Sequence, residues 1–217
     1  MAKTRKITSV NIKPGVSVLS VLSHLNYRPW FALGEFVDNS IQSYVDNRKA
    51  IEKFDGADCQ LQVEVHCENV EFGVIKIRDN AAGISQKDFP RAFRPAQLPP
   101  NASGLSEFGM GMKSAACWFA PKWSVRTSAI GEDVEREISF DIEKIVRDEI
   151  GELKIKSRRA KVGSHYTEIV LSDLHQVPAG RTLGKIKSHL SDIYRIFTRE
   201  GLLALSFNGE PLSLIHI

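Results

Sequence analysis

Several things this chain lacks narrow what it can be. Among 217 residues there are three cysteines, Cys59, Cys67 and Cys117. None has C-x-x-C spacing and an odd number cannot pair off, which argues against a disulfide scaffold and for a reducing compartment. The six histidines do not cluster with the cysteines at ligand spacing, so no zinc site is expected. Cys59, His66 and Cys67 read instead as part of a strand. No apolar run approaches the roughly 18 residues of a membrane helix, so no membrane partner is expected. Residues 1–6 are charged, but no apolar segment follows them as in a secretory leader. Charge of one sign is scarce too: the net charge of +3 is too small to argue for nucleic acid on its own. There is no internal repeat and no low-complexity tract. What remains, with 42% hydrophobic and 25% charged residues, is ordinary for a globular protein long enough to bury a sizeable core.

The most informative stretch is residues 30–47. Pro29 suits a first helical position, where a missing N–H costs nothing. Trp30, Leu33, Val37, Ile41 and Tyr44 then recur at helical spacing and predict one buried stripe. Glu35, Asp38, Asn39 and Gln42 fall at i, i+3, i+4 and i+7, which places them on a common second face. A carboxylate and amide row on a largely buried helix is costly unless it meets a cation or a ligand. A polar edge capped by its own neighbours is the plainer reading of the same row. The helix is expected to run past Asn47 and to end before Gly56.

Residues 15–25 read as a short helix. Residues 59–67 alternate, with Leu61, Val63 and Val65 on one face, and predict a half-buried strand that pairs with a second at residues 74–77. The second strand leads into Arg78, Asp79, Asn80, Ala81, Ala82, Gly83 and Ile84. Small residues there let the backbone approach something closely, and Asp79 at the strand's end can accept a hydrogen bond from a ligand. The plainer alternative is a turn whose Asx residue caps a helix from Ser85. Residues 93–103 hold Pro95, Pro99 and Pro100 and form no element. They lead to Gly104, Gly109 and Gly111 ahead of a helix of small and apolar residues. A glycine loop opening a helix presents free N–H groups to an anion, although a tight turn reads the same way and the spacing is not a Walker A motif. Beyond Pro121 the chain is β-rich, with strands expected at residues 123–129, 135–142, 152–158 and 163–171. A helix over residues 183–197 follows, then a strand at residues 202–207 and a turn at Asn208 and Gly209.

In this order the pieces resemble the GHKL ATPases (gyrase B, Hsp90, histidine kinases and MutL), with the MORC branch and its bacterial relatives the nearest match. The family's N-box corresponds to Glu35, Phe36, Val37, Asp38 and Asn39. Its aspartate box corresponds to Asp79 through Gly83. Its lid and glycine box correspond to Leu105 through Lys113, and its late Gly-Thr strand loosely to Gly163 and Thr167. The resemblance spans residues 17–212. Two departures stand out: Ala81 replaces the first glycine of the aspartate box, and Gln42 replaces an acidic residue.

The resemblance implies an α/β fold of Bergerat type, an α+β two-layer sandwich with helices on one face of a mixed sheet. It implies ATP and Mg²⁺ between the N-box helix, the aspartate box and the lid. Glu35 would be the general base and Asn39 the Mg²⁺ ligand, with Asp38 beside it. Asp79 would accept from the adenine amino group near Gly83, supported by Thr167 through water. Gly104, Phe108, Gly109, Met110, Gly111 and Met112 would cradle phosphates. Lys113 would be a phosphate contact or a solvated lysine of the helix's first turn. Residues 1–13 would be a basic arm that orders on ATP binding and joins two protomers, residues 14–180 the ATPase domain, and residues 181–217 a helix and strand that complete the module or lead to a further domain. The implied role is a slow ATPase switch in a MORC-like protein concerned with DNA management or defence. Its location would be cytoplasmic in a bacterium or nuclear in a eukaryote. A histidine-kinase-like phosphoryl transfer is one alternative, although His24 lies on no long helical hairpin. A non-hydrolysing ATP-gated clamp or chaperone module is the other.

Overall fold

The computed structural model describes residues 15–94 and 110–212. The basic arm, Gly104, Phe108 and Gly109 lie outside the described residues, as does most of the lid. The described residues open with α1, Val18–Val21, and a 3-10 turn, Leu22–His24. The long helix α2 follows, Pro29–Asp46, with proline in its first turn as its spacing predicts. Its buried stripe contains Leu33, Val37, Ile41 and Tyr44, joined by Ala32, Phe36 and Ser40. The helix breaks at Asn47, whose side-chain amide donates to the Ser43 carbonyl at 2.8 Å. A second helix, α3, Arg48–Asp55, then resumes and ends at Gly56, where φ is 97°.

The described residues form eight strands, β1 Leu61–Glu68, β2 Val74–Asp79, β3 Lys122–Ser128, β4 Val134–Asp141, β5 Lys156–Arg159, β6 Tyr166–Ser172, β7 Leu203–Phe207 and β8 Glu210–Pro211. They form one sheet in the order β5-β4-β3-β6-β2-β1-β7-β8. All described pairings are antiparallel except β1 with β7. This is a mixed α/β fold, one eight-stranded mixed sheet with helices packed on it.

Alternation decides which face is covered. Leu61, Val63 and Val65 of β1, Ile75 and Ile77 of β2, and Trp123 and Val125 of β3 all point into the buried layer. The helices lie there, with α2 central between β1, α5 (Gly111–Phe119) and α7 (Arg181–Ile193). The opposite face carries a row of alternating charge aligned by the strand register: Glu64, Arg78, Glu168, Arg126, Glu137 and Lys156. Arg78 and Arg126 both pair with Glu168, at 3.0 and 2.5 Å. Such cross-strand pairs add only tenths of a kcal/mol each, about the value of an exposed ion pair. Their main effect is to make the face unsuitable for a second helical layer.

Besides the break at Asn47 and the split of the helix expected over residues 183–197 into α7 (Arg181–Ile193) and α8 (Arg195–Arg199), the structure departs from the sequence expectations in three further places. A helix, α6, Ile142–Arg147, follows β4 directly, capped by Asp141, which accepts from the Lys144 N–H at 3.0 Å. The strand expected at residues 152–158 is reduced to β5, whose four residues are all exposed at the sheet's edge. The helix considered from Ser85 begins later, as α4, Phe89–Phe93, with Ser85 and Asp88 bonded to each other just before it. Near the end, α7 and the short α8, Arg195–Arg199, carry the chain across the helical layer so that β7 can join β1.

Candidate functional site

Asp79 is the last residue of β2 and is 9% exposed. Its Oδ1 accepts the backbone N–H groups of Ala81 and Thr167, both at 3.0 Å, and its Oδ2 accepts the Ser40 hydroxyl at 2.7 Å. Burial raises its pKa, and these three donors oppose that shift. The loop that follows is fixed from outside. The Asn80 side chain accepts from Gln62 N at 2.7 Å and donates to the Gln60 carbonyl at 3.0 Å, tying the loop to the start of β1. Ile130 N donates to the Ala82 carbonyl at 2.9 Å. Gly83 has φ 72°, and a Cβ there would lie 2.0 Å from the Ser128 carbonyl oxygen, so only glycine fits. Ala81 is buried and keeps a negative φ, so alanine in place of the family's glycine introduces no backbone strain.

The Thr167 backbone N–H holds Asp79 directly. The Thr167 hydroxyl lies 3.4 Å from that of Thr127, which in turn accepts from Ile84 N at 2.9 Å and donates to the Tyr166 carbonyl at 2.8 Å. His165 closes the back of the loop. Its Nδ1 is 2.9 Å from the Ala81 carbonyl and its Nε2 is 3.1 Å from Asp55 Oδ2.

The second part of the site lies on α2. Glu35 is half-buried, and the Tyr27 hydroxyl donates to its Oε1 at 3.2 Å. Burial raises the Glu35 pKa, the hydrogen bond from Tyr27 lowers it, and the charge of Asp38 raises it further. Burial together with Glu35's charge pushes the Tyr27 phenol up to about 12. Gly111, the first residue of α5, packs so closely that a Cβ on it would be 1.9 Å from Glu35 Oε2. Met110 caps that helix, Met112 packs against the core, and α5 lies along α2. One helix turn beyond Glu35, the Asn39 amide donates to the Glu35 carbonyl at 2.6 Å.

The polar row on α2 is therefore divided. Asp38 accepts the Tyr194 hydroxyl at 2.8 Å, which turns it toward the C-terminal helices, whereas Ser40 takes the contact with Asp79. Gln42 donates to Asp46 at 2.7 Å on the surface. Lys113 is not a solvated lysine of the first turn. It is 3% exposed, its Nζ donates to the Ala92 carbonyl at 2.9 Å, and burial beside Arg91 depresses its pKa to about 8. Its link to α4 is the Ala92 carbonyl, which accepts from Nζ near that helix's end.

Sequence reasoning missed Ser40, Thr127, Tyr27 and Tyr194. Only Ser40 left a usable signal, as a hydroxyl set within an otherwise apolar helical stripe. Taken together, the site is a buried carboxylate at a strand end, ringed by N–H and O–H donors. A half-buried carboxylate lies about 7.5 Å further along the adjoining helix, taking the rise over the five residues from Ser40 back to Glu35. A small-residue helix start abuts that second carboxylate. No helix among the described residues is long and apolar enough to cross a membrane.

No curated protein matches the chain by sequence. Residues 27–171, two thirds of its length, match the family described as histidine kinase-, DNA gyrase B- and HSP90-like ATPase. The matched segment runs from Tyr27, which bonds Glu35, to the end of β6, which carries Thr167. On this match the chain belongs to the histidine kinase-, DNA gyrase B- and HSP90-like ATPases.

Proposed function

We propose that the chain binds ATP with Mg²⁺ in the space bounded by α2, the Asp79–Gly83 loop and the start of α5, and hydrolyses it slowly. The observation that carries this reading is Asp79. It is a buried carboxylate whose two oxygens are oriented by Ser40, Ala81 and Thr167, at a strand end whose following loop packs through Gly83 against the Ser128 backbone. A carboxylate fixed in this way accepts from an exocyclic amino group, which adenine offers and guanine replaces with a carbonyl at that position. Thr127 and Thr167 extend the polar wall beside it.

The donor set also suits the metal. An amide oxygen on a helix beside a carboxylate is a hard-oxygen environment, and Asn39 is the residue that would hold Mg²⁺. When bound, Mg²⁺ would offset charge on the triphosphate. Glu35 acts as general base: its raised pKa makes it a better proton acceptor than a surface carboxylate, Tyr27 donates to its Oε1, and the missing side chain of Gly111 leaves room for its Oε2. Met110, Gly111, Met112 and Lys113, with Gly104, Phe108 and Gly109, cradle the phosphates. Lys113 regains its full charge when an anion arrives. Asp38 belongs to the N-box but acts through Tyr194, linking the pocket to residues 181–217.

On this reading nucleotide works as a switch in a MORC-like protein concerned with DNA management or defence. Residues 1–13 order on ATP binding and join two protomers. Residues 14–180 form the ATPase domain, and residues 181–217 complete the module. The location is cytoplasmic, or nuclear in a eukaryote. The experiment that tests the chemistry is steady-state ATP turnover of Glu35→Gln beside calorimetric ATP binding. Turnover should fall by about 10²-fold or more with binding retained. A variant that hydrolyses ATP at the wild-type rate would remove Glu35 from the mechanism.

A further inference from the structure

Away from the Asp79 pocket, a cavity of about 430 Å³ opens between the start of α2, the end of α5 and the linker from β6 to α7. It shares no lining residue with the site described above. Trp118 on its wall lies seven residues beyond Gly111, about 10.5 Å along α5. Its volume falls within the range of small-molecule sites.

The lining has a consistent chemistry. Trp30, Trp118 and Phe119 supply flat apolar walls. The Trp30 ring is fixed by His189, stacked at a 4.1 Å centroid separation and 19° between planes. Two cations line the mouth, Arg28 and Lys185, and neither has an ion-pair partner among the described residues. His175, Gln176, Ser23 and Thr182 add polar edges, and no described acidic residue lines the cavity. Two long helices, α2 and α7, begin at its rim and turn their positive ends toward it. Finally, the indole N–H of Trp30 is buried with no hydrogen-bond acceptor among the described residues. A buried donor without a partner is uncommon in a folded protein and marks a place for an acceptor.

We infer that this cavity is a second ligand site, for a small planar anion with an aromatic body, such as an aromatic carboxylate. The ring would lie against Trp30, Trp118 and Phe119. The carboxylate would accept from Arg28, Lys185 and the Trp30 N–H. This does not rest on the ATP reading, because none of these residues belongs to the Asp79 pocket.

The test uses 2-naphthoate as probe and 2-naphthylmethanol as its neutral counterpart, followed by calorimetry and by quenching of tryptophan fluorescence. Wild-type protein should bind one naphthoate per chain and bind the alcohol at least about tenfold more weakly, the value of one charge-assisted hydrogen bond. Arg28 and Lys185 are exposed, so the double variant Arg28→Gln/Lys185→Gln should keep the wild-type melting temperature and lose about tenfold or more in naphthoate affinity. Trp30→Phe removes the N–H together with the pyrrole half of the indole wall, so it should weaken both probes, naphthoate by the larger factor. Saturating ATP should leave naphthoate affinity unchanged. No binding at millimolar naphthoate, equal affinity for acid and alcohol, indifference to the double variant, or displacement by ATP would each overturn the assignment.

Discussion

The hydroxyl of Tyr194 lies 2.8 Å from Asp38 Oδ1 and 3.0 Å from the Gly34 carbonyl, joining the end of α7 to the middle of α2 across 156 residues of chain. Tyr194 is 1% exposed, and a Cβ on Gly34 would sit 3.2 Å from its oxygen, so the phenol is enclosed. Burial raises the Asp38 pKa, and the Tyr194 hydrogen bond lowers it. A carboxyl whose folded-state pKa is raised contributes more stability at low pH and loses it as pH rises through that pKa. Tyr194→Phe removes the opposing hydrogen bond and leaves a buried carboxylate short of a donor. The variant should unfold about 1–3 kcal/mol more easily near neutral pH, with a smaller deficit at acid pH. Denaturant unfolding across pH measures this, and a pH-independent deficit would contradict it.

Two glycines should respond to alanine in opposite ways. At Gly83 the new Cβ would meet the Ser128 backbone oxygen at 2.0 Å, on a residue with positive φ. Neither strain has an easy escape, so Gly83→Ala should cost about 3 kcal/mol of stability. At Gly111 the obstacle is the carboxylate end of Glu35, a side chain that can swing aside. Gly111→Ala should keep the melting temperature near wild type and lower ATP turnover by about 10²-fold through displacement of Glu35. Equal melting temperatures for the two variants would contradict this account.

Lys113 titrates at about 8 because burial disfavours its charge and Arg91 adds repulsion. Its folded-state value lies below the ordinary lysine value of about 10.5, so the charged form costs stability at neutral pH and that cost is relieved as pH rises from about 8 toward 10.5. A phosphate beside it reverses the preference. ATP binding at pH 8 should therefore take up part of a proton, and affinity should decline above that pH. Calorimetry in buffers of different ionisation enthalpy measures the uptake. Its absence would place Lys113 outside the phosphate site.

The sequence made some of this legible and concealed the rest, for identifiable reasons. The body of α2 was readable because Leu33, Val37, Ile41 and Tyr44 repeat at helical spacing, and β1 because Leu61, Val63 and Val65 alternate. The position of Asp79 at a strand end followed from the glycine and small residues after it. The six residues of α6 were missed because one and a half turns show no period, although the Asp141 cap was a usable sign. The parallel insertion of β7 beside β1 has no local signature, because it is set by how α7 and α8 cross the helical layer. The division of the polar row on α2 was hidden for a similar reason. Spacing places Asp38 and Asn39 near each other, but the partner that turns Asp38 away is Tyr194, far along the chain. Burial of Lys113, whose Nζ donates to α4, likewise depends on a contact that lysine's composition statistics argue against.

The most direct test of the account replaces Asp79 by asparagine. The native donors allow the exchange: an amide oxygen can take the place of Oδ1 opposite the N–H groups of Ala81 and Thr167, and the new NH₂ can donate to Ser40, whose hydroxyl already lies 3.1 Å from the Phe36 carbonyl as an alternative acceptor. The fold should therefore survive, while the atom that accepts from adenine becomes a donor. Calorimetric titration of ATP and GTP against wild type and Asp79→Asn, in Mg²⁺, should show binding of ATP to wild type alone, with the two proteins melting at similar temperatures. Undiminished ATP binding by Asp79→Asn, or equal binding of GTP by the wild type, would contradict the adenine pocket.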